Sequence, residues 1–179
     1  IFCIVFFVKL QAQPGFLKFI NDHWVDSTIN TMNLDEKIGQ LFMVQAYSEK
    51  AAEHTAAVLS DIQKYKVGGV IFMKGNPTAQ AGMINCFQKE SKIPMLVAMD
   101  AEWGLGFRLE STMKYPVQMA LGAIQNDSLL YQMGKEIGQQ CRRIGVHINF
   151  APVADINSNP KNPVIGYRSF GEDKTKVAQ

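Results

Sequence analysis

The sequence predicts an α/β protein built on a parallel sheet or barrel, and three observations carry this. Short apolar runs alternate with amphipathic segments at intervals of about 25–30 residues, the repeat of a strand–helix unit. One run, Pro94-Met-Leu-Val-Ala-Met99, is apolar on both faces, as a strand buried between helices and an interior must be. Two runs, ending at Met99 and near Phe150, pass directly into long polar loops, the usual place for function at the carboxyl ends of parallel strands.

A chain of 179 residues, 47% hydrophobic and 19% charged, is long enough for one domain with a real core. A complete (β/α)8 barrel takes about 250 residues, so the expectation is a fragment, cut at both ends, holding about half of one. The net charge of +2 is spread without a basic stripe, which argues against a nucleic-acid partner. Arg142-Arg143 is a lone pair and reads as the solvated end of a helix.

Residues 1–12 open with the apolar run Ile1–Val8 and reach small Ala12. This is the pattern of a signal-peptide remnant, with an apolar region of about 7–15 residues before its cleavage site. It is too short to span a bilayer, which takes about 20; a buried strand is the alternative. The expectation is an exported protein, periplasmic or extracellular, whose mature part begins near Gln13 and has no stable membrane span. Cys3 lies inside the run, which argues against lipidation there.

From Phe16 to Leu34 apolar residues recur at helical spacing, and Asp35-Glu36 opens a helix whose Ile38, Leu41 and Phe42 are expected to face the core before a first strand near Met43–Gln45. Lys50–Tyr65 is a helix with Ala52, Ala56, Leu59, Ile62 and Tyr65 as its apolar stripe, broken by Gly68-Gly69 before the strand Val70–Met73. His54 has no second ligand at metal spacing and reads as a solvated or capping histidine. Thr78–Ser91 is the next helix. After the strand ending at Met99 the chain runs irregularly to Asp127, where a helix with Leu129, Leu130, Met133, Ile137 and Cys141 on one side begins; His147 starts the fourth strand. Cys86 and Cys141 are expected to be two buried free thiols.

A sugar-binding site needs carboxylates to accept hydroxyl hydrogens, an arginine to donate a fork of hydrogen bonds, and an apolar face for the ring. Asp100, Arg108 and Arg168 supply the polar groups, and Trp103 and Phe107 the apolar surface. Also open from the residues alone is a structural reading, in which the Asp caps loop amides and the Arg holds a loop through ion pairs. Asp155, Asn157 and Asn159 read as shaping their own loop.

Several motifs bear on the choice. Asp100, Glu102, Gly104 and Arg108 form Asp-x-Glu-x-Gly-x-x-x-Arg. Asn149–Asn157 reads Asn-Phe-Ala-Pro-Val-x-Asp-x-Asn, and Asn162–Gly171 reads Asn-Pro-x-Ile-x-x-Arg-Ser-Phe-Gly. With Leu34–Phe42, Gly68–Phe72 and Met119–Ala123, these resemble the N-terminal barrel domain of glycoside hydrolase family 3, particularly its β-N-acetylglucosaminidase branch. The resemblance runs in order from residue 34 to the end. It implies a TIM (β/α)8 barrel, with residues 13–179 its N-terminal part, and an exo-acting retaining glycosidase that removes terminal β-linked N-acetylglucosamine from glycans or peptidoglycan fragments with no cofactor or metal.

By the same resemblance Asp100 binds hydroxyls of the terminal sugar and Arg168 lines that subsite, with Arg108 and Glu102 beside them. The resemblance also implies that the nucleophile is an Asp after a later strand and, in the N-acetylglucosaminidase branch, that the acid/base is a His on a loop following a Lys-His motif with a His-Asp pair. Neither region occurs here, so no catalytic group is expected before Gln179; the fragment alone is expected to be inactive and, with two open sheet edges, poorly soluble. Trp103 stands where the family often has Gly, and Tyr167 where a smaller or acidic residue is frequent. The alternatives are a β-glucosidase or β-xylosidase of the same family, or a non-catalytic carbohydrate-binding barrel.

Overall fold

Among the described residues four strands, β1 (Met43–Tyr47), β2 (Gly69–Lys74), β3 (Leu96–Met99) and β4 (Ile148–Asn149), form one parallel sheet in the order β1-β2-β3-β4. The computed structural model describes residues 15–179; the apolar run 1–12 lies outside them. Each strand pairs with the next in sequence and the order never reverses. That is the winding of a (β/α) barrel; a doubly wound sheet reverses at a switch point. The helices are α1 (His23–Asn30), α2 (Leu34–Gly39), α3 (Ala52–Tyr65), α4 (Pro77–Glu90), α5 (Gln118–Leu121), α6 (Asp127–Arg143) and α7 (Lys174–Ala178). Helices α3 and α4 are the crossovers from β1 to β2 and from β2 to β3, and α6 leads into β4.

The core follows from the two-residue period of the strands. Val44, Val70 and Val97 share one row of the register, and Ala46, Phe72 and Met99 the next. These side chains meet Val58 and Ile62 of α3, Ile84 and Phe87 of α4, and Ile137 and Cys141 of α6. On the opposite face the cover is thinner: Leu96 is 49% exposed, although Ala98 beside it is buried.

Helix boundaries obey local capping chemistry. Asn21 adopts a left-handed conformation (φ 67°) that ends a 3-10 turn, and the Asp22 side chain then accepts from Trp24 N at 2.8 Å to start α1. Asn33 and Glu36 form a reciprocal capping box at 2.9 and 3.1 Å for α2. The continuous helical spacing from Phe16 is thus cut into short pieces by side chains that satisfy new helix starts.

Several sequence expectations are corrected. Ile38, Leu41 and Phe42 do not enter the core; they are 45%, 84% and 60% exposed. Their segment is held by its backbone: Gly68 N donates to Gly39 O at 3.1 Å and Gly69 N to Phe42 O at 3.2 Å. The buried stripe of α3 runs through Val58 and Ile62, with Leu59 partly covered, and Tyr65 is exposed. β3 begins at Leu96 because the Gln88 side chain takes both backbone groups of Met95, donating to its carbonyl at 2.8 Å and accepting from its N–H at 3.0 Å. Cys86 is exposed, since α4 buries Gln80, Ile84 and Phe87 and Cys86 falls off that stripe; Cys141 is buried as expected. Arg142 and Arg143 do lie exposed on the last turn of α6, where positive charge suits the helix dipole.

His54 neither caps a helix nor is freely solvated. Its Nε2 accepts from Tyr47 N at 3.0 Å, tying α3 to the end of β1, and its ring lies edge-on to that of Tyr47. Burial, with Lys50 adding to it, holds the imidazole below its ordinary range, so the neutral form that can accept this bond is favoured. The depressed folded value means the unfolded state binds more protons. This contribution is therefore complete above about pH 6.5 and is lost as pH falls through the lowered folded value. Urea unfolding from about pH 8 to about pH 5 checks this: His54→Gln should flatten the acid loss of stability relative to the parent.

Gly68 is required by a close approach. A Cβ there would come within 2.8 Å of the Gln40 carbonyl carbon and closer still to its oxygen, where α2 meets the start of β2. Gly68→Ala should destabilise the protein by about 2 kcal/mol or more, because backbone rather than a flexible side chain must give way. A shift of the unfolding midpoint measures it, and an unchanged midpoint would contradict the packing.

Candidate functional site

The site is built where β3 and β4 end. Met99 and Asn149 are register partners, and the Asn149 side-chain oxygen accepts from Ala101 N at 2.9 Å, fixing the first turn of the chain after β3. The loop that follows is folded on itself: Gly104 N donates to Ala101 O, Gly106 N to Met113 O, and Tyr115 N to Trp103 O, at 3.0–3.1 Å. It is also stitched to the end of β2, where Gly75 N donates to Arg108 O at 3.2 Å and Glu110 N to Gly75 O at 2.9 Å. Asp100, Glu102 and Arg108 are thereby held on a rigid rim.

The second loop brings Arg168. Asn157 N donates to Gly171 O at 2.8 Å, and the fully buried Ser169 hydroxyl donates to Asp155 O at 2.6 Å, closing residues 155–171 into a compact loop. Asn159 and Asn162 turn the backbone inside it by accepting from Lys161 N and from Val164 and Ile165 N. These confirm a loop-shaping role for Asn159, whereas Asn157 is buried with its side-chain oxygen unpartnered. A short 3-10 turn, Gly166–Arg168, packs against α5. The approach is close enough that a Cβ on Gly122 would meet the Phe170 carbonyl carbon at 2.7 Å.

All four sequence-predicted residues converge, as two ion pairs. Arg168 Nε donates to both oxygens of Glu102 at 3.1 and 3.0 Å, Nη2 to Oε1 at 2.6 Å, and Nη1 to Val164 O at 3.2 Å. The Glu102 side chain is 4% exposed and that of Arg168 31%. Hydrogen bonding to Glu102 holds the Arg168 guanidinium above even its ordinary range, so it stays charged. Arg108 Nη2 donates to Asp100 Oδ2 at 2.7 Å and Nε to the Asp100 carbonyl at 3.3 Å, with both side chains part-buried.

The arrangement presents charged donors and acceptors over a strand end, a geometry that suits a polyhydroxylated ligand. Among the described residues no group of three His, Cys, Asp or Glu is placed to hold a metal ion, and no helix is long and apolar enough to cross a membrane. Sequence reasoning missed Asn149, Ser169 and Gly122 as positioning residues. All three lie inside the stretches already singled out, Asn149 and Ser169 in the two later motifs and Gly122 in Met119–Ala123, which was the available signal.

Comparison with known proteins places the chain in a family. Residues 33–179 match the glycosyl hydrolase family 3 N-terminal domain. The chain is 29% identical over 171 residues to a β-N-acetylglucosaminidase/β-glucosidase of Cellulomonas fimi, covering 96% of this chain and 30% of that protein. A family 3 β-N-acetylglucosaminidase from Paenibacillus sp. FPU-7 superposes with a TM-score of 0.72 at 34% identity, covering 83% of this chain and 29% of that one. A β-glucoside phosphorylase, BglX, superposes with a TM-score of 0.80 at 25% identity, covering 86% of this chain and 27% of that one. The chain thus spans about 30% of the length of that curated relative. From residue 33 onward its motifs, its singly wound parallel sheet and its strand-end loops are those of one family, and the chain belongs to glycoside hydrolase family 3.

Proposed function

We propose that the full-length protein containing this chain is an exported, exo-acting retaining glycosidase that removes terminal β-linked N-acetylglucosamine. The observation that carries the reading is the convergence of Asp100, Glu102, Arg108 and Arg168 at two adjacent strand ends in a chain two of whose three named relatives carry β-N-acetylglucosaminidase in their names. In this reading Asp100, with Oδ2 already taken by Arg108, offers Oδ1 to a sugar hydroxyl, and Arg168 donates from its exposed edge. Glu102 orients Arg168, and Arg108 orients Asp100. Export rests on the apolar run Ile1–Val8 before Ala12.

The nucleophile and the acid/base are assigned outside residues 1–179. A retaining mechanism run by a pair of carboxyl groups sets them about 5–5.5 Å apart, one free to attack the sugar and the other to exchange a proton. Asp100 and Glu102 do not suit this: each is engaged by an arginine, and Glu102 is buried beneath Arg168. Their work is binding and orientation, so residues 1–179 alone are inactive in this account.

A second reading is favoured by two of the relatives, one named for β-glucosidase activity as well and one a β-glucoside phosphorylase. Chromogenic β-N-acetylglucosaminide, β-glucoside and β-xyloside, each with and without inorganic phosphate, separate the possibilities. The proposal expects the N-acetylglucosaminide to have the highest kcat/KM, with free sugar as product. Preference for the glucoside, or a sugar 1-phosphate as product, would favour the second reading; binding without turnover would leave a carbohydrate-binding barrel.

The pair chemistry gives a sharper test. Arg168→Met should cost about 3–5 kcal/mol by leaving Glu102 buried without its partner, and activity should fall by more than about tenfold. Adding Glu102→Gln should restore most of the stability, read by urea unfolding, but not kcat/KM. Recovery of activity in the double variant would show that Arg168 is a loop brace and not a sugar ligand.

A further inference from the structure

A pyranose needs an apolar face beside the polar groups of the site, and of the two residues suggested by sequence Phe107 does not supply it. Phe107 is engaged elsewhere: the Arg108 guanidinium carbon sits 4.3 Å from its ring centroid, and the Trp103 ring centroid is 4.2 Å away. The ring that continues the surface comes from the other loop. Tyr167 lies 6.2 Å from Trp103, centroid to centroid, with an interplanar angle of 55°, and is 58% exposed. Trp103 adjoins Glu102 and Tyr167 adjoins Arg168, so the bidentate ion pair draws the two aromatic side chains together from positions 64 residues apart in sequence.

Both rings hang on fixed backbone. The Trp103 carbonyl accepts from Tyr115 N at 3.0 Å, and the 3-10 turn carrying Tyr167 is anchored by Arg168 and by the buried Ser169. Little ordering is left to be done on binding, which favours recognition of a flat ligand face. A β-linked gluco-configured pyranose, with its substituents equatorial, presents such a face in the C–H bonds of alternate ring carbons. An aromatic ring, large and polarisable, is a good partner for it.

We propose that Trp103 and Tyr167 form the apolar wall of the sugar site, with the exposed Tyr167 ring stacking on the C–H face of the sugar and Trp103, backed by Phe107, completing the surface. The assignment rests on the glycosidase reading above and goes beyond it by naming which side chains select a pyranose with one unobstructed face. An axial hydroxyl on that face, as in an epimer of the substrate, would lift the ring off the wall.

The test uses the full-length protein. Of the two tryptophans in residues 1–179, Trp24 lies on α1, so Trp24→Phe removes its signal from this domain. In that background, titration with N-acetylglucosamine should give a saturable change in tryptophan emission that is absent when Trp103 is also replaced by Phe. Tyr167→Ala should raise the dissociation constant and KM by about 5- to 30-fold, the size expected for losing one stacked face, with kcat changed far less. Tyr167→Phe should restore binding, because the ring and not its hydroxyl makes the contact. A protein that hydrolyses the N-acetylglucosaminide while Tyr167→Ala keeps its parental KM would overturn the wall yet leave the glycosidase reading standing. A parent protein that neither binds nor cleaves any of the glycosides would overturn both.

Discussion

The ion pair between Glu102 and Arg168 is the constraint on which the site depends. Glu102 is nearly inaccessible to water, and a carboxylate so placed is tolerated only with a charged partner that satisfies its oxygens. That partner comes from 66 residues further along the chain, so the whole loop after β4 must fold back over the end of β3. The loop's own bonds follow from this demand: Ser169 to Asp155, Asn157 to Gly171, and the tight seat of Phe170 on Gly122 all serve to place one guanidinium.

The sheet makes such a fold-back short. Because β3 and β4 are neighbours and parallel, both carboxyl ends lie on the same edge, and Asn149 joins them directly through Ala101. A reversal of strand order would have put the two loops on opposite sides of an intervening strand. Barrel winding therefore does more than supply a scaffold. It sets the distance that the Arg168 loop has to cover, and it makes the two aromatic residues beside the pair meet as a consequence.

The fold was largely legible in the sequence because buried parallel strands are apolar on both faces and helices announce themselves by spacing and caps. The misreadings have physical causes. Ile38, Leu41 and Phe42 have helical spacing, but backbone hydrogen bonds hold their segment without burying them. Met95 has a strand-like neighbourhood, yet Gln88 takes its backbone groups. For the candidate site, loop composition and the family resemblance pointed to Asp100, Glu102, Arg108 and Arg168. Which arginine would meet which carboxylate was not readable, since Asp100 pairs within its own loop and Glu102 pairs across a long stretch of chain. Nor was it visible that Tyr167 would be the exposed ring near Trp103, while Phe107 lies between Trp103 and the Arg108 guanidinium.

The most direct measurement is a crystal structure of the full-length protein with N-acetylglucosamine bound. The account predicts the sugar over the ends of β3 and β4, with hydroxyls within hydrogen-bond distance of Asp100 and Arg168, its ring against Tyr167, and the Glu102–Arg168 pair intact beneath it. A sugar bound elsewhere, with both ion pairs unchanged and out of reach of it, would show that these residues only hold the loops together.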